Sequence, residues 1–255
     1  MKIFEKTAAS GNPKVVAFLP ARVSSSRLPK KHLKRIGKHT MLEWVAKRAQ
    51  ESAYIEEVML CMPDEPGIEE LSQHGESIGL TPAVWRGEVD DVVGRLACVA
   101  AFSGAEICVM LSGDCPLLCG ERVDSLIEAL IDNPDRKLAC FAEMPEKYHL
   151  MLGCRVERAS LWNLANELSV KPYDREHQFP ILNPEREEIP DKAEIFVRGI
   201  KKDYFPFIYD VSVDTPHDLQ TTNSIYEILK KKGVSFNLSN VRDLLRTMAP
   251  ACQEI

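Results

Sequence analysis

The chain has 255 residues, 45% hydrophobic and 27% charged, with 32 Lys and Arg against 38 Asp and Glu and a net charge of −6. That length supports one large domain with its own core, and the composition excludes a disordered chain, a coiled coil and a collagen-like repeat. The acidic balance speaks against a general nucleic-acid binder, and no apolar run reaches the roughly 18 residues that span a bilayer. The opening MKIFEKTAASGNPK has no apolar signal segment, so a cytoplasmic protein with neither nucleic acid nor membrane as partner is expected.

Residues 1–13 read as a loose tail and 14–255 as a single domain. Val15-Val16-Ala17-Phe18-Leu19 is a continuous apolar run closed by Pro20, the pattern of a strand buried on both faces. After a long polar loop, Thr40 with Glu43 three residues on forms a capping box that opens a helix. Residues 58–62 predict a second strand, 66–78 and 89–102 two helices, and 107–111 a further strand. Over 121–131 a helix is expected, with Val123, Leu126, Ile127 and Leu130 on one face. The stretch 143–200 is irregular and rich in Pro, Glu and Arg, an excursion suited to a substrate or subunit surface. Tyr209 to Asp214 resumes the strand pattern. Thr215, Pro216 and Asp218 then start a helix as N-cap, first-turn Pro and third-position acid, with Leu219, Thr222, Tyr226 and Leu229 along one side. Strands alternating with helices predict an α/β fold in three layers around a mostly parallel sheet.

Eight cysteines are present. Cys61, Cys98, Cys108, Cys140 and Cys154 lie in apolar runs and read as small buried hydrophobes. Cys115 and Cys119 have no second pair to complete a zinc pattern. Trp44, Trp85 and Trp162 read as packing residues.

The loop after the first strand carries the chemistry. From Arg22 to Lys38 it holds seven Lys or Arg and no acid. In open α/β sheets ligands bind beyond the carboxyl ends of strands. There, small Ser residues let main-chain N–H groups approach phosphate oxygens, while Arg and Lys supply charge. A solvated basic face or a nucleic-acid patch is the alternative. With no GxxxxGK[ST] and no GxGxxG, neither a P-loop NTPase nor a standard dinucleotide fold is indicated. Asp114 follows an apolar strand and Gly113, and a carboxylate at that position holds Mg2+ or serves as a turn or cap residue. Asp214, before the capped helix, has the same two readings. Two such acids facing a basic loop form a metal and polyphosphate constellation. There is no GxSxG and no HExxH. His177 beside Arg175 and Glu176 suits polar substrate contacts or a surface helix start.

Taken together, these segments resemble the CMP-sugar-acid synthetases, the acylneuraminate and Kdo cytidylyltransferases. LPARVSSSRLPKKHLKRIGKHTMLEWVAKR is similar to their (I/L)PAR-x-x-S-x-R-(L/F)-P-x-K loop with its following Gly turn and helix. WRGEVDDVVGR, LSGDCPLL, PYDREHQFP and VSVDTPHDL are similar, in order, to segments of the branch named after the spore-coat polysaccharide protein SpsF. The resemblance implies a GT-A-like nucleotidyltransferase fold, often dimeric. It implies that CTP and a 2-keto-3-deoxy sugar acid, nonulosonic (sialic-acid-like) or related, give a CMP-sugar and pyrophosphate for surface polysaccharide synthesis, with Mg2+. By position, Arg22, Arg27 and Lys31 would hold the triphosphate, Arg22, Lys31 and Asp114 forming the catalytic set. Pro20, Ala21, Ser24 and Gly113 would line the nucleotide, with Asp90, Asp91 and Arg95 bordering the nucleotide or the sugar. Asp114 and Asp214 would be the metal ligands. Arg155, Arg175 and His177 would face the sugar acid, with Arg198 a further candidate for its carboxylate.

Three departures stand out. Lys30 replaces a frequent Gly, Arg155 replaces an acid, and an HxGIYAYR-like segment is missing, which points away from Kdo. A nucleotide-sugar-dependent glycosyltransferase on the same fold is the competing enzyme reading. The GDC sequence around Asp114, in place of DxD, argues against it. A non-catalytic relative is the third, which the altered Lys30 and Arg155 favour and the retained Arg22, Lys31, Asp114 and Asp214 oppose.

Overall fold

The computed structural model describes residues 13–141, 153–177, 194–197 and 212–248. Its central sheet has seven strands: β1 (Val15–Pro20), β4 (Glu57–Pro63), β5 (Thr81–Trp85), β6 (Ile107–Leu111), β7 (Leu138–Phe141), β8 (Cys154–Arg158) and β9 (Glu194–Val197), in the spatial order β5-β4-β1-β6-β8-β7-β9. β1 runs parallel to β4 on one side and to β6 on the other, with Phe18 opposite Met59 and Met110. β8 is antiparallel to both β6 and β7, and β9 is parallel to β7. The sheet is therefore mixed and mainly parallel, as expected.

The helices follow from the strands' two buried faces. Val15, Ala17 and Leu19 point to one side, where they pack with Leu42 and Val45 of α1 (Met41–Gln50), Leu71 of α2 (Ile68–Ser77) and Val123 and Leu126 of α4 (Gly120–Ile131). Val16 and Phe18 point to the other, against Leu96 and Val99 of α3 (Val92–Ser103) and Trp162 of α5 (Ala159–Leu168). This is the period-2 alternation of a strand covered on both sides, and it makes the three layers.

A short hairpin, β2 (Arg35–Ile36) and β3 (His39–Thr40), turns the basic loop into α1. At its tip Gly37 has φ +57°, and a Cβ there would run into the Tyr226 ring. Tyr226 belongs to α7 (Pro216–Lys231), which packs with α8 (Leu238–Met248), Trp44 and Phe236 in a separate cluster. Both predicted capping boxes form, Thr40 with Glu43 and Thr215 with Asp218. The described part of the 143–200 excursion comprises β8, α5, α6 (Pro172–Glu176) and β9. β8 inserts between β6 and β7, which run in one direction, and is antiparallel to both.

Several expectations need correction. Cys98 is exposed. The phase of α3 puts it on an outward face with Ala101 and Phe102, whereas the apolar run around it suggested burial. Cys61 and Cys108 are buried and Cys154 partly so, while the side chain of Cys140 lies outside the described residues. Of the strand expected at 209–214, residues 209–211 lie outside the described residues and 212–214 form no strand. Arg198 also lies outside them. Trp44 and Trp162 are core residues, but Trp85 is half-buried at the end of β5.

Candidate functional site

The carboxyl ends of β1, β4 and β6 bring the basic loop and the two aspartates together. Lys31 starts a single 3-10 turn (Lys31–Leu33), which directs its side chain back toward the sheet. Its Nζ donates to Asp114 Oδ2 at 2.9 Å and to Asp214 Oδ1 at 3.1 Å. Arg27 reaches the same Asp214 oxygen at 3.2 Å. The aspartates are held near each other by the main chain, Val213 N–H donating to the Asp114 carbonyl at 2.9 Å.

Charge sets the protonation of this cluster. Burial by itself would push the Lys31 ammonium down, but Asp114 and Asp214 outweigh it and raise it above the ordinary lysine value. Burial likewise works against the Asp114 carboxylate, yet the Lys31 charge and hydrogen bond bring it below the usual range. Lys31 thus stays a cation and Asp114 an anion at neutral pH.

The ends of the strands are packed to hold this geometry. Gly113 has no room for a side chain, since a Cβ there would meet His32 Nε2 at 2.5 Å and the Pro20 carbonyl at 3.3 Å. His32 itself is buried, and desolvation with the neighbouring Lys31 charge lowers its pKa to about 4. A neutral imidazole therefore wedges the strand end that carries Asp114. Ala21 is buried and its N–H donates to the Cys61 carbonyl at 3.1 Å, extending the β1–β4 pairing past Pro20. Ser24 stays exposed.

Arg22 projects from the loop at 37% side-chain exposure, with Asp90 at 2.6 Å and Glu176 at 3.5 Å. Asp91, expected at the nucleotide, is engaged within the protein. It caps α3 through Gly94 N–H at 2.8 Å and takes Arg175 in a two-point pair at 2.7 and 2.6 Å. Arg175 therefore ties α6 to α3 rather than pointing at open space. Arg95 is buried, at 2% exposure, and donates to the main-chain carbonyls of Val89 at 2.8 Å and Cys61 at 3.4 Å. It braces the loop that holds Asp90 and Asp91 from beneath. Arg155 lies in β8 and pairs with the fully buried Glu157 at 3.0 Å, apart from the Lys31 cluster. His177 is exposed, its ring tilted against that of Tyr173 with centroids 4.5 Å apart.

Two residues of the site carried no motif. His32 is one. Glu65, two residues past β4, is the other: its Oε1 accepts Val23 N–H at 2.5 Å and Ser24 N–H at 3.5 Å. The signal for His32 was the Gly before Asp114, which implies a close neighbour. For Glu65 it was an acid at a strand's carboxyl end beside a loop without acids.

The profile of the family described as cytidylyltransferase matches residues 16–242. This chain belongs to the cytidylyltransferase family. Its curated relatives include the 3-deoxy-manno-octulosonate cytidylyltransferase of Psychrobacter sp. (strain PRwf-1), 28% identical over 177 residues, 67% of this chain and 63% of that protein. The enzyme of the same name from Fusobacterium nucleatum subsp. nucleatum is 34% identical over 127 residues, 49% of this chain and 50% of the other. The chain spans between half and just under two thirds of the length of those two relatives. Among solved structures, a cytidylyltransferase from Leptospira borgpetersenii serovar Hardjo-bovis (strain JB197) superposes with a TM-score of 0.78 at 22% identity, covering 96% of this chain and 99% of that one. A CMP:2-keto-3-deoxy-manno-octonic acid synthetase complexed with CTP gives 0.61 at 21% identity, covering 84% and 99%. These structural likenesses establish the nucleotidyltransferase fold. No helix among the described residues is long and apolar enough to cross a membrane.

Proposed function

We propose that this cytidylyltransferase family member joins CTP and a 2-keto-3-deoxy sugar acid into a CMP-sugar with release of pyrophosphate. The observation that carries the reading is Lys31 Nζ lying 2.9 and 3.1 Å from two carboxylates, with Arg22 and Arg27 on the same loop. Supporting it are the family membership and the relatives' names. Those names bring Kdo back beside the nonulosonic acids, despite the missing HxGIYAYR-like segment.

The two carboxylates fit a Mg2+ site, because Asp114 Oδ2 and Asp214 Oδ1 converge on a single cationic atom and few carboxylates suffice for this ion. Asp114 and Asp214 would hold it, and when bound it would neutralise phosphate charge. The chain's own residues supply the rest. Arg22 and Arg27, exposed on the loop, meet the triphosphate and offset its charge. Lys31, held as an ammonium, adds a fixed cation beside the reacting phosphate and does not act as a base. The anomeric hydroxyl of the sugar acid gives its proton to solvent and its oxygen forms the new bond to the α-phosphorus as the bond to pyrophosphate breaks, so positioning and charge neutralisation do most of the work. Production of surface polysaccharide in the cytoplasm by a homodimer is the setting we propose.

The test is calorimetric binding of CTP, UTP, ATP and GTP with Mg2+, followed by pyrophosphate release with Kdo and with a nonulosonic acid. Preference for CTP and release with one acid is the expected result. Transfer from a preformed nucleotide sugar without pyrophosphate would overturn it in favour of a glycosyltransferase.

A further inference from the structure

We propose that Glu65 is a positioning residue for the nucleotide loop: its carboxylate holds the neck of the Arg22–Lys31 loop and thereby sets where Lys31 points. This inference rests on reading that loop as the triphosphate site.

Glu65 lies past the end of β4, the strand paired with β1, so topology places it beside the point where the loop leaves the sheet. It is 8% exposed. Beside so basic a loop, a carboxylate would be expected to pair with a Lys or Arg side chain. Among the described residues Glu65 forms no ion pair within 4 Å, and its Oε1 takes the Val23 and Ser24 N–H groups instead. A carboxylate accepting main-chain N–H groups makes the charge-assisted class of hydrogen bond. Glu65 therefore occupies none of the loop's side-chain cations, whose partners are Asp90, Glu176, Asp214, Glu70 and Asp114.

Val23 is where both ends of the loop meet. Its carbonyl accepts from Ser25 N–H at 2.9 Å and from Lys30 N–H at 3.3 Å. Lys30 sits there in the left-handed region at φ +54°, and the next residue is Lys31. The path from Glu65 to the reacting centre therefore runs from its carboxylate to the Val23 N–H, from the Val23 carbonyl to the Lys30 N–H, and then from the Lys31 ammonium to the Asp114 and Asp214 carboxylates. From outside, Glu70 of α2 takes Lys30 Nζ at 2.5 Å. The segment from Glu65 to Glu70 thus grips the loop twice, once at its neck and once at its return. Glu65 also lends a favourable charge to the buried Arg95, which braces the neighbouring loop.

The experiment compares wild type, Glu65→Ala and Glu65→Gln by hydrogen exchange of the 21–31 segment, CTP–Mg2+ binding and thermal unfolding. Alanine should lower the protection of the Val23 and Lys30 amides and weaken CTP by ~10-fold or more, while glutamine, which keeps an acceptor, stays within ~3-fold on both. Alanine that exchanges and binds like wild type would overturn the proposal. So would glutamine failing as badly as alanine, because the role would then be the charge beside Arg95. If wild type binds no CTP, the functional reading fails, and the exchange measurement still decides on Glu65. Should the alanine variant not fold, Glu65→Asp withdraws the carboxylate while keeping its charge, and the same outcomes apply.

Discussion

The two halves of the sheet use charged residues in opposite ways. In the parallel half, β1, β4 and β6 end together, and Lys31, Arg22, Arg27, Asp114 and Asp214 gather just beyond them, each at least partly open to solvent. In the other half, β8 runs against its neighbours and carries Arg155 and Glu157 within the strand, Glu157 fully buried. The open pairs can exchange partners with an incoming polyphosphate. The sealed pair cannot, and burial raises the Glu157 carboxyl above its ordinary value, Arg155 countering only part of that. A basic residue is a ligand site where strands end and an internal brace where they continue.

Four substitutions break or sharpen that contrast. Asp114→Ala should have the largest effect, lowering metal-dependent pyrophosphate release by ~10³-fold, about 4 kcal/mol of barrier. Undiminished turnover would remove Asp114 from the mechanism. Arg155→Ala should strip Glu157 of its cationic partner and cost about 3 kcal/mol or more in denaturant unfolding. CTP affinity of the folded fraction should not change, and a selective loss of substrate affinity at unchanged stability would return Arg155 to the sugar site.

His32 gives a pH test at the border of the two halves. Its folded pKa is lowered to about 4, below the ordinary histidine value near 6.5. On acidification between those values the unfolded chain takes up a proton that the folded chain refuses. Stability should therefore fall as pH drops through this window, by up to ~1.4 kcal/mol per unit, and level off below it. His32→Leu should flatten that slope, and an identical pH profile would contradict the assignment. Lys30→Gly is the smallest change: it releases a left-handed side chain at the cost of one exposed pair with Glu70, for a gain of about 0.5–1 kcal/mol. A loss of stability on chemical denaturation would show that the pair outweighs the strain.

Much of the parallel half was legible in the sequence. Continuous apolar runs such as Val15–Leu19 mark strands buried on both faces, and Thr40–Glu43 and Thr215–Asp218 mark helix starts by local chemistry alone. Lys31 and Asp114 were legible from the basic loop after β1 and the turn after β6, whereas Asp214 follows no strand among the described residues and was marked only by the helix cap beside it. Asp91, Arg175 and Arg95 were harder. A motif names residue types, but whether a carboxylate faces a ligand, caps a helix or meets an arginine depends on packing that periodicity does not report. The antiparallel insertion of β8 was invisible for a similar reason, since Arg155 and Glu157 in alternation look like a solvated face until another layer covers them. Glu65 acts on main-chain N–H groups, which every residue has, so no partner type advertised it.

The bond from Val213 to the Asp114 carbonyl has a consequence for how the molecule comes into being. Lys31 meets one of its carboxylates across 83 positions of chain and the other across 183. On a ribosome the basic loop, β1 and β6 emerge long before the second aspartate does. Until then the loop's cations face an unfinished partner, and closing the centre is a long-range step, the kind that loop-closure entropy makes slow.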